Sequence, residues 1–321
     1  MALHGTVVKK DGSVIDINIG EDEKDPVFCV TDLLSHLAQE QMEKKGARVV
    51  EGEDLNILIG NEPVKGDEKE AVKANVLKLL KEKYNIEEED FVSAEIEAVP
   101  AGKAREAGLD RSMIISYGQD DRVCAFTSLK AMLEIEESEK TACCLLVDKE
   151  EIGSVGATGM HSRFFENMVA EVMDRCGQYS ELKLRRTLTN SCMLSSDVNS
   201  AFDPNYANVN EKKNTAYFGK GVVFMKYTGS RGKSGSNDAS AEYIGKLRKI
   251  MDDNNVSFQT AELGRVDLGG GGTIAYILAN YGMNVIDSGV GVQNMHAPYE
   301  VISKVDLYEA YKSYKAFLKD A

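Results

Sequence analysis

The chain has 321 residues and a formal net charge of −14. This excess of acidic residues argues against nucleic acid and anionic membrane surfaces as partners, because both repel a negative protein. Apolar residues make up 43% of the chain, enough to bury a sizeable core, and no stretch approaches the roughly 20 apolar residues of a membrane span. Six cysteines occur without a CxxC pair, which indicates reduced thiols in a cytoplasmic protein.

The first hundred residues show strand and helix patterns but no cluster of catalytic side chains. Residues 6–19 predict a β-hairpin around Asp11-Gly12. A helix is predicted from Asp32 to about Lys45 because apolar residues recur there at helical spacing. Residues 92–99 alternate as in a β-strand, and Pro100-Ala101-Gly102 ends this pattern. We therefore predict a small mixed α/β domain over residues 1–99, followed by a second domain over residues 100–321.

The second segment repeats a pattern of strand, turn and helix. Such alternation is typical of an α/β fold with a mostly parallel sheet between layers of helices. An apolar run over residues 141–147 predicts a strand buried on both faces, and Asp148-Lys149-Glu150-Glu151 follows it directly. Adjacent residues of an extended chain point in opposite directions, so Glu150 and Glu151 are expected to do different jobs. One would bind a metal and the other would handle a proton, although an exposed acidic turn is the simpler interpretation of an isolated pair.

Acidic or imidazole side chains recur where predicted strands end. Ligands of open α/β sheets bind in the crevice beyond the strand ends, where carboxylates would repel one another unless a cation neutralised them. Carboxylates with one imidazole suit Zn²⁺, Mn²⁺ or Co²⁺, and a shared carboxylate would allow a two-metal site. The candidates are Asp120, Asp121, Glu150, Glu151, Asp197 and His296.

The run Gly269-Gly270-Gly271-Gly272 precedes another predicted helix. It lacks the Lys-Ser or Lys-Thr pair that ends a phosphate-binding loop, and it lacks the spacing of a dinucleotide fingerprint. We expect Gly270, Gly271 and Gly272 to approach the backbone of a peptide substrate; a purely structural loop is the alternative.

Four motifs of the sequence contain the carboxylate and imidazole candidates. They are Gly118-Gln119-Asp120-Asp121-Arg122, Asp148-Lys149-Glu150-Glu151-Ile152-Gly153-Ser154, Ser195-Ser196-Asp197 with Asp203-Pro204-Asn205-Tyr206, and Met295-His296. Together they resemble the aspartyl aminopeptidase family of co-catalytic zinc metallopeptidases, and the likeness runs from about His4 to the C-terminus. The resemblance implies that Asp120 bridges two zinc ions, that Asp121 orients it through a cis peptide bond, and that Glu150 is the general base. It also implies that Glu151, Asp197 and His296 are terminal zinc ligands.

The sequence departs from the family in one motif. The family carries an early His-x-Asp whose histidine is a further zinc ligand that partners the residue matching Asp197, whereas none of the four histidines here has Asp two residues later. We therefore expect the chain to begin close to the small domain that the family inserts after that motif. We then expect at most one tightly held transition metal and much slower peptide turnover than in a complete family member. If two ions bind tightly, His161 is the first candidate for a replacement ligand.

Two classes of function are compatible with these patterns. The first is a metal-dependent aminopeptidase that removes N-terminal residues from peptides, with acidic residues as one candidate class and broad specificity as the alternative. The second is a catalytically incompetent fragment or assembly module of such an enzyme. The resemblance also implies a homo-oligomer, with a dodecamer as a candidate size, formed through the small domain.

Overall fold

The computed structural model describes residues 1–66, 69–229, 231 and 234–321. The chain divides into two compact units, Met1–Lys103 and Ala104–Ala321. Within the described residues, no helix is both long enough and apolar enough to cross a membrane.

The first unit is built on a three-stranded antiparallel sheet. The strands of this sheet are β1 (Ala2–Val8), β2 (Val14–Ile19) and β5 (Ala94–Val99). The short strands β3 (Cys29–Val30) and β4 (Ile57–Leu58) form a separate antiparallel pair. The α-helices of the unit are α1 (Gln39–Met42) and α2 (Ala71–Tyr84). The predicted hairpin is confirmed, since β1 pairs with β2, and β1 also pairs with β5 on its other edge. Val7, Ile17 and Ile86 form the centre of a small core.

The predicted helix over residues 32–45 is wrong. A 3-10 turn at Ser35–Leu37 and the single helical turn α1 take its place. The side chains that define its apolar face all remain exposed: Leu33, Leu34, Leu37 and Met42. Because most of the stability of a short amphipathic helix comes from packing its apolar face, the periodic sequence alone does not hold the helix together.

The second unit contains two mixed sheets and six α-helices among its described residues. Its strands are β6 (Arg105–Ala107), β7 (Met113–Ser116), β8 (Cys192–Ser195), β9 (Asn199–Ser200), β10 (Val222–Met225), β11 (Phe258–Thr260), β12 (Asn284–Gly289), β13 (Gly291–Gln293) and β14 (Glu300–Ser303). Its helices are α3 (Gln119–Glu134), α4 (Phe164–Arg175), α5 (Glu181–Thr189), α6 (Ala241–Asp253), α7 (Ala275–Ala279) and α8 (Lys304–Asp320).

The sheets confirm the α/β class but have mixed strand directions instead of the mostly parallel arrangement expected. One sheet has the order β11-β10-β12-β8 and the other the order β6-β7-β14-β13-β9. In the first, β10 is parallel to β11 but antiparallel to β12. In the second, β6–β7 and β13–β14 are antiparallel pairs joined by a few residues, and such short connections cannot form a parallel crossover.

The strand predicted over residues 141–147 is also wrong. These residues adopt no regular secondary structure, and Leu146 is 54% exposed. They form no backbone hydrogen bond with another described residue, and only the bridge between Asp148 and Gly159 follows them. An apolar run forms a strand only where a neighbouring strand supplies hydrogen-bond partners, which the sequence pattern does not reveal.

The main core of the second unit lies between helices and the first sheet. Val222 and Phe224 of β10 and Ile286 of β12 pack with Leu247 of α6 and Tyr314 of α8. Cys192 and Leu194 of β8, the strand that precedes the candidate ligand Asp197, pack against this core.

Candidate metal centre

Asp120 and Asp121 lie where α3 begins. Gly118 precedes the helix with φ of +66°, and the first turn is interrupted by non-helical angles at both aspartates. The peptide bond between them is cis, as predicted. The backbone of the two aspartates is therefore not helical, although both lie within the first turn of α3.

Glu150 and Glu151 lie on a 3-10 turn, Glu150–Ile152. The turn is closed by a 2.7 Å hydrogen bond from the Ser154 N–H to the Lys149 carbonyl. Lys149 and Gly153 flank it in the left-handed region, with φ of +70° and +100°. The turn brings Glu151 Oε1 to 3.4 Å from Nε2 of His296.

His296 completes a group of three metal-ligand side chains. Its Nε2 lies 3.1 Å from Oδ2 of Asp120, and the ligand atoms of Asp120, Glu151 and His296 all lie within 4.8 Å of one another. The Asp120 side chain is 11% exposed and that of His296 is 63% exposed. The group therefore has a buried floor and an accessible rim.

A second group shares one residue with the first. Ligand atoms of Asp120, Asp121 and Asp197 also lie within 4.8 Å of one another. Asp197 follows β8, and its carbonyl lies so close to β12 that a Cβ at Gly289 would be 1.8 Å from it. Glycine is required at that position for the two chain segments to approach.

Burial and mutual repulsion disfavour the negative charges of this cluster. Burial, followed by the charges of Glu151 and Glu300, raises the pKa of Asp120 to about 6. Burial also raises the pKa values of Asp121 and Asp197 well above their usual range, and to a lesser degree that of Glu150. Asp121 Oδ1 is buried without a hydrogen-bond partner among the described residues. A cation among these oxygens would relieve the repulsion and give Asp121 a partner, so the donor set fits a divalent metal.

Sequence reasoning missed Glu300, the first residue of β14. Its side chain is buried, and its two oxygens accept hydrogen bonds from the backbone N–H groups of Asp120, at 2.9 Å, and His296, at 2.8 Å. One carboxylate thus holds the backbones of two candidate ligands. The available signal was a carboxylate at the start of an apolar strand, four residues after His296.

His161 does not join either group. Its Nε2 lies 3.0 Å from the Tyr276 hydroxyl, and its ring packs edge-on against that tyrosine. Among the described residues, His296 is therefore the single imidazole in the two groups.

Both groups face a cavity of about 870 Å³ that Gly270, Gly271 and Gly272 also line. The glycine loop is fixed by backbone hydrogen bonds from the Gly270 N–H to the Leu263 carbonyl, 2.6 Å, and from the Gly229 N–H to the Gly271 carbonyl, 2.7 Å. A side-chain hydrogen bond of 2.7 Å from Thr273 to the buried Asp287 anchors its end. The cavity is large enough to admit a peptide end beside the carboxylates.

The comparison with known protein families decides what kind of protein carries this cluster. The family model described as aminopeptidase I zinc metalloprotease (M18) matches residues 1–318. The chain belongs to the M18 family of zinc aminopeptidases. The family predicted from the motifs is thereby confirmed, and with it the class of enzyme, a metal-dependent hydrolase.

Individual M18 relatives are similar to this chain in sequence and structure over 99–100% of its length. The probable M18 family aminopeptidase 1 of Clostridium acetobutylicum is 64% identical over 321 residues, which are 100% of this chain and 69% of that protein. The crystal structure of aminopeptidase I from the same organism matches with a TM-score of 0.92 over 99% of this chain and 69% of its own. The M18 aminopeptidase structure from Thermotoga maritima has 45% identity and a TM-score of 0.96, covering 100% of this chain and 71% of its own.

A more distant structure shares the fold alone. The mApe1 dodecamer of S. cerevisiae is 18% identical, with a TM-score of 0.69, and the match covers 98% of this chain and 68% of its own.

Proposed function

We propose that this chain is a zinc aminopeptidase that releases single residues from the N-termini of peptides by activating water. The observation that carries the proposal is the position of Asp120, which belongs to both ligand groups and faces the cavity. A carboxylate shared in this way is the arrangement that two-metal hydrolysis needs.

The positions of the side chains suggest separate roles in metal binding, orientation of a ligand and proton transfer. Asp120, Glu151 and His296 would hold one zinc ion, which leaves a fourth position open to solvent or substrate. Asp197 would be a ligand on the other side of Asp120, and buried Asp121 would orient the bridging carboxylate. Bound zinc would supply the positive charge that makes a water molecule more acidic. Glu150 lines the cavity but belongs to neither ligand group, so it is free to take the proton from the attacking water.

The two groups are expected to differ in affinity for a transition metal. The first offers an imidazole and two carboxylates, whereas the second offers carboxylates only among the described residues. Because carboxylates alone favour hard ions, we propose one tightly held zinc per chain, with Mn²⁺ or Co²⁺ as substitutes and Mg²⁺ as a competitor at the second position.

The test is to measure zinc per chain and peptide hydrolysis on the same purified sample. We expect about one tightly held zinc per chain. Mass spectrometry should detect the release of N-terminal residues, and this release should stop when a chelator removes zinc and return when zinc is added back. Tight zinc without any hydrolysis would favour the alternative of an incompetent assembly module. Two tight ions would contradict the proposed difference in affinity between the two groups.

We further propose that the first unit mediates self-association. Leu33, Leu34, Leu37 and Met42 are exposed apolar residues within ten positions of one another, a feature that commonly marks an interaction surface. The S. cerevisiae mApe1 structure, which shares the fold, is a dodecamer.

The replacement of Leu33 and Leu37 by glutamate should reduce the mass of the assembly, because charge opposes burial of these positions in an interface. Light scattering at micromolar concentration is expected to show a multimer for the original chain and a smaller species for the variant. If the original chain is a monomer, the proposed self-association is wrong. If the variant has the same mass as the original multimer, Leu33 and Leu37 do not lie in the interface.

A further inference from the structure

The hydroxyl of Tyr314, on α8, lies at the centre of a chain of hydrogen bonds that runs in one direction. Ser128 Oγ of α3 donates to Ser196 Oγ at 3.0 Å, and Ser196 Oγ donates to the Tyr314 hydroxyl at 2.9 Å. The Tyr314 hydroxyl donates in turn to the Ser288 carbonyl of β12 at 2.7 Å. Tyr314 is only 4% exposed, and hydrogen bonds in such surroundings strengthen one another.

Ser196 connects this chain of hydrogen bonds to Asp197. The two residues are adjacent, and Asp197 supplies a carboxylate of the second ligand group. The Asp197 carbonyl lies against β12, where a Cβ at Gly289 would be 1.8 Å from it. The Tyr314 hydroxyl therefore binds the residue directly before Asp197 and the residue directly before Gly289.

Cys124 connects the same region to Asp121. Its side chain is fully buried on α3, one turn after Asp121, and a Cβ at Gly289 would be 3.0 Å from its Sγ. Burial raises the pKa of Asp121, and hydrogen bonding from the Cys124 side chain and backbone opposes this shift. The Cys124 side chain also makes a hydrogen-bond contact with the Tyr314 hydroxyl. The two carboxylates that the second group does not share with the first, those of Asp121 and Asp197, thus both have a link to Tyr314.

The first ligand group has a different anchor. Glu300 accepts hydrogen bonds from the backbone N–H groups of Asp120 and His296, and Glu151 lies on its own 3-10 turn. Loss of the Tyr314 hydroxyl should therefore act on the second group far more than on the first.

We propose that Tyr314 is a positioning residue for the second ligand group, and that its hydroxyl holds Asp121 and Asp197 where they can bind a cation together with Asp120. The proposal rests on the two-metal arrangement proposed above. Occupancy of the second position would then depend on a side chain that belongs to neither ligand group and does not line the cavity.

The test compares Tyr314→Phe with the original full chain after each has been loaded with one equivalent of zinc. Mn²⁺, which suits carboxylate ligands, is then titrated and its binding is followed by electron paramagnetic resonance. We expect Tyr314→Phe to weaken Mn²⁺ binding by about tenfold or more, since outer hydrogen-bond partners of ligands have effects of this size. The zinc affinity of the first group, measured by chelator competition, should change far less.

Tyr243→Phe is the matched control. Tyr243 is also 4% exposed, and its hydroxyl donates a 2.8 Å hydrogen bond to the Met193 carbonyl of β8, the strand that precedes Asp197. This variant loses a buried hydroxyl of the same kind and should keep its Mn²⁺ affinity. Ser196→Ala removes the link to Asp197 while the tyrosine stays in place. It should also weaken Mn²⁺ binding, and it provides the test if Tyr314→Phe does not fold.

Crystal structures of the metal-free variants separate this proposal from the proposed function. In Tyr314→Phe and Ser196→Ala the Asp197 carboxylate should be displaced from that of Asp120, while the ligands of the first group keep their contacts with one another. If this displacement occurs but the original chain binds no Mn²⁺ beside zinc, the two-metal function is wrong and the positioning role is still supported.

Three results would overturn the proposal. The first is an Asp197 carboxylate that stays in place in both variants. The second is Mn²⁺ binding that is unchanged in Tyr314→Phe and Ser196→Ala although the original chain binds Mn²⁺. The third is a loss that is not specific to the second group, seen as an equal loss of zinc and Mn²⁺ in Tyr314→Phe or as the same loss of Mn²⁺ in Tyr243→Phe.

Discussion

The replacement of Glu150 by glutamine is expected to slow peptide hydrolysis by about 10²–10⁴-fold, the range that general acid–base catalysis contributes. Glutamine keeps the size of the side chain but cannot accept the proton of the attacking water. Because Glu150 lies outside both ligand groups, zinc affinity should fall far less than it would on loss of a ligand. Steady-state rates and competition with a zinc chelator measure the two quantities on the same samples.

Glu151 provides a matched control one residue away. Glu151→Gln makes the same chemical change on the same 3-10 turn, but Glu151 belongs to the group with Asp120 and His296. The Glu151→Gln variant should bind zinc more weakly and lose activity as a consequence. Its activity should return when the zinc concentration is raised. If Glu150→Gln lost zinc as severely as Glu151→Gln, Glu150 would be a ligand and its assignment as the base would be wrong.

The same pair of variants gives a pH signature. A general base works only when deprotonated, so the rate at saturating zinc should fall as the pH is lowered through the pKa of Glu150. Burial and the charge of Glu151 raise that pKa in the metal-free protein. Bound zinc would oppose both effects, so the loss at saturating zinc should lie at a lower pH than the titration of Glu150 in the metal-free protein. The residual rate of Glu150→Gln should not show this decrease at low pH, because the group that titrates has been removed.

The structure brings the predicted side chains together, but not all of the elements that were expected to carry them form. Asp120, Glu151, Asp197 and His296 were expected at strand ends, and the structure brings them into two overlapping groups. The strand expected before Glu150 is absent, because regular structure there depends on a hydrogen-bonded neighbour, and local periodicity contains no information about neighbours.

The same limit explains the failed helix in the first unit and the unnoticed Glu300. The apolar spacing of Leu33, Leu37 and Met42 is correct for a helix, yet these side chains find no core to pack against. Glu300 acts on a backbone N–H 180 residues earlier in the chain. A contact of that separation follows from the folded topology, and the one local signal, the position of Glu300 four residues after His296, does not reveal the contact with Asp120.

The replacement of Glu300 by glutamine should weaken zinc binding by about 10–100-fold, the effect that loss of an outer hydrogen-bond partner of a ligand typically has. The carboxylate accepts from the N–H groups of both Asp120 and His296, and it is 3% exposed. Glutamine has one acceptor oxygen, so one of these N–H groups would face an amide NH₂ that cannot accept its hydrogen. Asp120 and His296 would then lose the common anchor that keeps their side chains 3.1 Å apart.

A buried carboxylate elsewhere in the second unit separates this positioning role from stability. Glu309 on α8 is also buried, accepts a 2.7 Å hydrogen bond from the Ser257 N–H and pairs with Lys312. Glu309→Gln should lower the melting temperature and leave zinc affinity unchanged, whereas Glu300→Gln should change both. The decisive measurement is the zinc dissociation constant of folded protein, obtained by chelator competition well below the melting transition. A constant for Glu300→Gln within twofold of the original would show that the two hydrogen bonds hold β14 in place without positioning the ligands.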